Sequence, residues 1–361
     1  MWLQTKGLTP GLRLTLYLPG LGQRPVPGPA EALLAGLALP AIERLFTRGD
    51  GVAGPGGDPD AGLFELLTGA PGVAPPPSAA VARLAEGLPA GGAQDWWLRA
   101  DPVHLRPDLS KLVLFDARAL RLEEGEARVL AAAVAPLLAE AGAALEVAAP
   151  GRWYLRLDAP VELQTHPLCV VAGQDLRGHL PAGGDTRRFR ALLTEVEMTL
   201  SAHAVNAARE ARGAPPVNGL WPWGGGRLPA APARRWSWVL ADDPLARGLA
   251  TLVKGPCGPF PASATAWLAE VRGDPGDWFL FDDRLWRAGR YGDLDAWREG
   301  LEWVEAEWVV PLLEAVRRGD LAGLTVLVGA GLGVRVTRGA LRRWWRRRRL
   351  FVAPTPGPAG G

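Results

Sequence analysis

The sequence predicts an α/β fold built on a mostly parallel sheet. Short apolar runs alternate with stretches of helical period along much of the chain, the pattern that βαβ units produce. The chain has 361 residues, 48% of them hydrophobic, which is enough for two domains with a sizeable core. No internal repeat interrupts this reading.

The elements follow in order. Leu12–Leu18, LRLTLYL, reads as a strand ended by Pro19-Gly20. Residues Pro29–Phe46 carry helical patterning, and the Gly/Pro-rich stretch Gly49–Asp60 connects to a helix over Ala61–Leu67. Ala70–Pro77 is a loop. From Trp96–Leu98 the texture changes: a strand at Leu112–Asp116, a helix at Glu123–Ala141, a strand at Trp153–Asp158, a long helix at Thr186–Arg212 and then a Trp/Gly-rich loop. Beyond Pro232 the alternation resumes. Trp236–Ala241, Trp278–Asp282 and Leu324–Val328 read as strands, and Leu245–Val253 and Ser263–Val271 as helices. The longest helix, Asp293–Val316, has Leu294, Trp297, Leu301, Val304, Trp308 and Leu312 on one stripe.

Composition narrows the function classes. A net charge of +2 gives no global argument for a nucleic-acid or acidic partner. Cys169 and Cys257 are isolated, so a reducing compartment fits better than a disulfide framework. No signal peptide opens the chain and no apolar run reaches the ~20 residues of a membrane span, so a cytoplasmic location is expected. The 46 Gly and 34 Pro look partly like the codon bias of a GC-rich genome.

Glu195–Arg227 is the most informative segment. Asn206, Arg209 and Arg212 recur three apart and share a helix face, and Arg212-Gly213 with Pro215-Pro216 marks the end of that helix. Two guanidiniums and an amide in a row suit a phosphate or carboxylate, because Arg offers paired donors to paired oxygens. A solvated face bridged by Glu195 and Glu210 is the competing reading.

The series His203, Asn206, Arg209, Arg212, Gly213 and Asn218, followed by Trp223 and Gly224–Gly226, resembles archaeal-type cofactor-independent phosphoglycerate mutases of the alkaline phosphatase superfamily. It is similar also to their bacterial offshoot, the RpfE-type regulatory proteins. Leu18–Pro25 resembles the mutase opening, Pro40–Leu45 with Gly49 its early helix, and Trp97–Asp101 and Gln164–Pro167 have counterparts too. The resemblance covers most of residues 12–330. It implies an alkaline-phosphatase-like core from residues 1–94 and 231–350, an inserted domain at 95–230, and a disordered tail at 351–361.

Active members of that superfamily hold two divalent metals (Mn, Zn or Mg) with Asp and His, beside a Ser nucleophile. The four histidines, His104, His166, His179 and His203, all fall in the insert. Pro19 stands where the resemblance implies a metal-binding Asp, and Gly57-Asp58-Pro59-Asp60 where it implies the Ser loop. Arg290 and Gly329-Ala330 replace further ligands. The cofactor expectation is therefore none, the two-metal site being lost. An Asp-only site for one Mg²⁺ around Asp58, Asp60, Asp282 and Asp283 is the alternative.

In the insert, Arg99, Asp101, His203, Asn206, Arg209, Arg212 and Asn218 match residues that grip phosphoglycerate in the mutases. The implied function is binding of a phosphorylated small molecule, or regulation, without turnover. Two alternatives stay open: an active mutase or phosphatase with a rebuilt metal site, and polar groups that merely hold the insert together.

A last feature is Arg342, Arg343, Trp344, Trp345, Arg346, Arg347, Arg348 and Arg349. Six arginines with two adjacent tryptophans could meet nucleic-acid phosphates and bases, a protein partner, or an anionic membrane surface. The competing reading is an arm whose rings pack on the core. Gly329, Gly331 and Gly333 follow a strand but are discounted as a dinucleotide loop, since no clear helix comes after them.

Overall fold

The computed structural model describes residues 11–347 except 27–28, 70–74, 89–90, 93, 109–110 and 272–274. The expected tail at 351–361, with Arg348 and Arg349, lies outside the described residues. The strands are β1 (Leu12–Tyr17), β2 (Asp50–Ala53), β3 (Trp96–Asp108), β4 (Lys111–Phe115), β5 (Ala143–Ala149), β6 (Arg152–Leu157), β7 (Gly219–Gly226), β8 (Trp238–Ala241), β9 (Cys257–Gly258), β10 (Gly276–Phe281), β11 (Gly323–Gly329) and β12 (Leu332–Val336). Packing divides the chain into two units, Met1–Gly69 with Ala233–Gly361, and Ala70–Pro232. The second unit thus opens at Ala70 and includes the helix Ser78–Ala82.

The first unit is an α/β layer structure. Its seven-stranded sheet runs β2-β12-β11-β1-β10-β8-β9. The pairings β11/β1, β1/β10, β10/β8 and β8/β9 are parallel, and β11/β12 and β12/β2 are antiparallel. Parallel strands covered on both faces read as continuous apolar runs, and Trp278, Phe279, Leu280 and Phe281 of β10 are all buried. Aromatic stacking fills one layer: Trp238 lies flat on Trp278 at 5.3 Å and 9°, and Trp267 meets Trp278 edge-on. The helices start where the sequence supplies caps. Asp58, Asp243, Ser263 and Asp293 each accept a backbone N–H at a helix N-terminus, and Pro59 and Pro244 fit the first turn.

Three expectations change here, and one discounted motif finds its place. Pro29–Phe46 is not continuous: helices Ala30–Leu33 and Pro40–Arg48 are separated by residues 34–39, since Pro40 disfavours helix at the residue before it. The connector Gly49–Asp60 contains β2, an edge strand whose short Asp-Gly-Val-Ala run gave no strand signal. Gly329 and Gly331 form the turn of the β11/β12 hairpin, with φ of +84° and +75°. The long helix forms over Leu294–Arg318, but Val304–Val309 winds as a π turn. That turn presents the buried Glu305, whose carboxylate accepts Ala41 N–H and Ile42 N–H at 2.7 and 2.8 Å. Glu305 therefore supplies the cap that Leu39 cannot give to the helix Pro40–Arg48.

The second unit is antiparallel, built around the 13-residue β3. β6 and β7 flank the first half of β3, and β4 pairs with its second half. Helices Glu124–Glu140 and Thr186–Ser201 cover a core of Leu130, Val134, Trp153, Leu155, Val196 and Leu200. The Trp/Gly stretch is no loop: it is β7, buried beside β3. Gly224 explains the glycines, because at φ +64° a Cβ there would stand 3.1 Å from Ser78 Cβ. The helix Thr186–Arg212 breaks at Ala202-His203 into Thr186–Ser201 and Ala204–Ala211. His203 caps the second piece through Nδ1, which accepts Val205 N–H at 3.2 Å. Neither cysteine forms a disulfide.

Candidate functional site

In an open α/β sheet, ligands gather outside the carboxyl ends of the parallel strands. In the first unit those ends carry Pro19 after β1, Asp242 and Asp243 after β8, Asp282 and Asp283 after β10, and Ala330 after β11. Gly20, at φ +91°, lets β1 turn against the helix Arg284–Tyr291, and a Cβ there would lie 2.5 Å from Trp286 N. Each aspartate has a structural partner. Asp282 forks onto Arg284 at 2.8 and 2.9 Å, Asp283 pairs with Arg287, Asp243 caps the helix Pro244–Leu252, and Asp242 accepts Phe260 N–H at 3.1 Å.

Asp58 and Asp60 bring carboxylate oxygens within 4.8 Å of each other, with Asp58 already holding Ala61 N–H at 3.0 Å. Among the described residues, neither Asp282 nor Asp283 joins them in a group able to wrap one cation. The Asp-only site drawn from these four residues does not assemble, because β10 delivers its pair to neighbouring arginines. The first unit holds no histidine. Pro19, Gly329 and Ala330 offer no side-chain ligand at these strand ends.

In the second unit the mutase-like residues are brought together in part, and their partners are internal. Asp101 is fully buried on β3. It accepts Arg99 Nη2–H at 2.7 and 2.9 Å, Arg99 Nε–H at 3.0 Å, Trp223 Nε1–H at 2.8 Å and Trp153 N–H at 3.2 Å. Arg99 and Asp101 sit two apart on one strand, which puts them on the same face. The Arg99 guanidinium lies between the rings of Tyr154 and Trp223, at 4.8 and 5.0 Å. Burial works against its charge, but Asp101, Tyr154 and Glu86 together outweigh burial and hold the guanidinium raised. Burial also raises the phenol of Tyr154, whose O–H donates to Glu86 at 2.9 Å. Arg152 closes the chain by pairing with Glu86 at 2.6 Å.

The helical residues form a second network. Asn206 donates to Leu200 O and Val217 O and accepts Val217 N–H, all at 2.7–2.8 Å. The fully buried Arg209 donates to Pro215 O at 2.9 Å, to Leu120 O and to Glu126. Arg212, half-exposed, pairs with the other Glu126 oxygen. Desolvation pushes the Glu126 carboxyl up, yet the Glu123 N–H and the two arginines bring it below its usual value. Asn218 brackets Leu105, donating to its carbonyl and accepting its N–H. Glu86, Glu126 and Tyr154 were not singled out by sequence reasoning. For Glu126 there was a signal: it stands three residues after Glu123, whose N–H it accepts at 3.1 Å.

The Arg/Trp segment follows the short helix Arg338–Leu341. Arg343 and Arg346 both reach Asp50, and Arg346 donates to Gly49 O at 2.6 Å at the end of helix Pro40–Arg48. Trp344 and Trp345 are not packed on the core but remain 79% and 65% exposed. No described helix is long and apolar enough to cross a membrane.

The fold defines an α/β protein with a mostly parallel sheet, and comparison with known proteins sharpens that class. No established family profile matches the chain. Over 142 residues it is 28% identical to a Geobacter sulfurreducens protein described as a probable 2,3-bisphosphoglycerate-independent phosphoglycerate mutase. That match covers 38% of this chain and about a third (35%) of the relative's length. The PH0037 protein of Pyrococcus horikoshii shares the fold, with a TM-score of 0.52 at 15% identity over 91% of this chain and 87% of that one. The cofactor-independent phosphoglycerate mutase of Thermoplasma acidophilum aligns over 91% of this chain and 90% of its own at 21% identity, with a TM-score of 0.47. Over the matched stretch, the chain is similar in sequence to that probable mutase.

Proposed function

We propose that this is a phosphoglycerate-mutase-like protein of the RpfE-type branch that works by binding rather than by metal-dependent phosphoryl transfer. One observation carries the reading: the histidine-free first unit has its strand-end aspartates tied to Arg284, Arg287 and backbone N–H groups. Phosphoryl transfer in a two-metal site needs cations to neutralise the moving group and to lower the pKa of the attacking oxygen. A fork of Asp282 onto Arg284 already neutralises one carboxylate that could have held such an ion. The loop Gly57–Asp60 offers no hydroxyl as nucleophile.

The same reading makes Arg99, Asp101, Asn206, Arg209 and Asn218 braces of the second unit. Any phosphorylated ligand is then left to the half-exposed Arg212 and to His203. Purified protein incubated with 3-phosphoglycerate and Mn²⁺ tests the proposal. No formation of 2-phosphoglycerate above a protein-free control is expected, and turnover would overturn it.

A further inference from the structure

The sequence contains no acidic residue after Asp320, whereas Arg335, Arg338, Arg342, Arg343 and Arg346–Arg349 follow it. Two of these arginines are fasteners. Arg343 and Arg346 converge on Asp50, and Arg346 also takes the carbonyls of Arg48 and Gly49, while Arg48 donates back to Leu341 O at 2.5 Å. The segment is therefore pinned to the unit by five contacts, and the pinning turns both indoles outward. A protein that only needed an arm to cover its core would bury Trp344 and Trp345. Arg342 and Arg347 beside them are exposed.

We infer that this surface is a peripheral docking site for an anionic lipid bilayer. Exposed tryptophans belong at the headgroup level of a membrane, where an apolar ring and an N–H donor both find partners. Arginines flanking them supply the attraction to anionic headgroups. The ring geometry discriminates between lipid and nucleic acid. The two indoles stand edge to face, at 6.2 Å and 85°. Successive bases of a single strand stack on rings that lie roughly parallel, and two perpendicular rings give no such platform. A bilayer interface sets no such requirement.

The test uses the full-length protein and extruded vesicles of phosphatidylcholine, alone or with about one-third phosphatidylglycerol, in co-sedimentation at low and at high salt. Binding to the anionic vesicles only, lost as salt rises, is expected. Trp344→Ala with Trp345→Ala, and separately Arg342→Gln with Arg347→Gln, should each lower the partition coefficient, the second pair by roughly 30-fold. The thermal melt should stay unchanged, since both indoles are exposed and the fastening Arg343 and Arg346 are kept. Failure to sediment with anionic vesicles at low salt would overturn the assignment, as would equal binding by the Trp variant. Tighter binding to a 20-nucleotide poly-dT than to vesicles would move the surface to nucleic acid and equally overturn it.

Discussion

Replacing Arg209 by Ala separates a bracing role from a ligand-gripping one. Arg209 is fully buried and holds Pro215 O, Leu120 O and one oxygen of Glu126. Removing the guanidinium leaves Glu126 with Arg212 but strands two carbonyls, each at about 1–3 kcal/mol. The expected loss is about 4 kcal/mol, before any cavity left by the side chain. For a unit of this size each kcal/mol lowers the melting temperature by about 2–4 °C, so a drop of roughly 10 °C is expected. Arg212→Ala touches a half-exposed pair and should cost less than ~1 kcal/mol. Urea titrations of both variants, followed by circular dichroism, make the comparison. Equal and small losses would refute the bracing argument and return Arg209 to a ligand.

Three further predictions rest on single contacts. Glu305→Ala should destabilise the first unit by about 3 kcal/mol in urea unfolding, because two buried N–H groups at the start of helix Pro40–Arg48 lose a charged acceptor; Glu305→Gln should lose less. Gly20→Ala combines a left-handed φ of +91° with a Cβ 2.5 Å from Trp286 N, so it should cost at least ~2 kcal/mol in the same assay. His104 is half-buried, and burial holds its imidazole below the ordinary value. The fold therefore binds fewer protons than the unfolded chain, so stability should fall as pH drops from about 7 through the folded value, and His104→Gln should flatten that slope.

The sequence made some parts of this fold legible and hid others for identifiable reasons. β10 and β11 were visible because a parallel strand buried on both faces reads as a near-continuous apolar run, and β1 because its leucines alternate with Arg13 and Thr15. β2 was not, since Asp50-Gly51-Val52-Ala53 has neither alternation nor apolar length; β12 alternates over only five residues directly after the turn glycines, and pairing with β11 decides it. β7 was misjudged because Trp, Pro and Gly signal a turn locally, while partnership with β3, more than a hundred residues earlier in sequence, decides the outcome. In the second unit the sequence located the polar residues but not their orientation. Asn206 and Arg209 face inward because His203 restarts the helix, a break that Ala-rich periodicity does not show. Asp101 pairs with Arg99 through strand alternation, whereas Glu86, which reaches Tyr154, carries no mark in the sequence.

The most direct test of the proposed loss of phosphotransfer is Mn²⁺ binding. Equilibrium titration of the purified chain, with free Mn²⁺ read by electron paramagnetic resonance, counts the cations that the first unit can hold. Aspartates already committed to Arg284, Arg287 and helix caps should give only weak, non-stoichiometric uptake. Two tightly bound ions per chain would contradict the account.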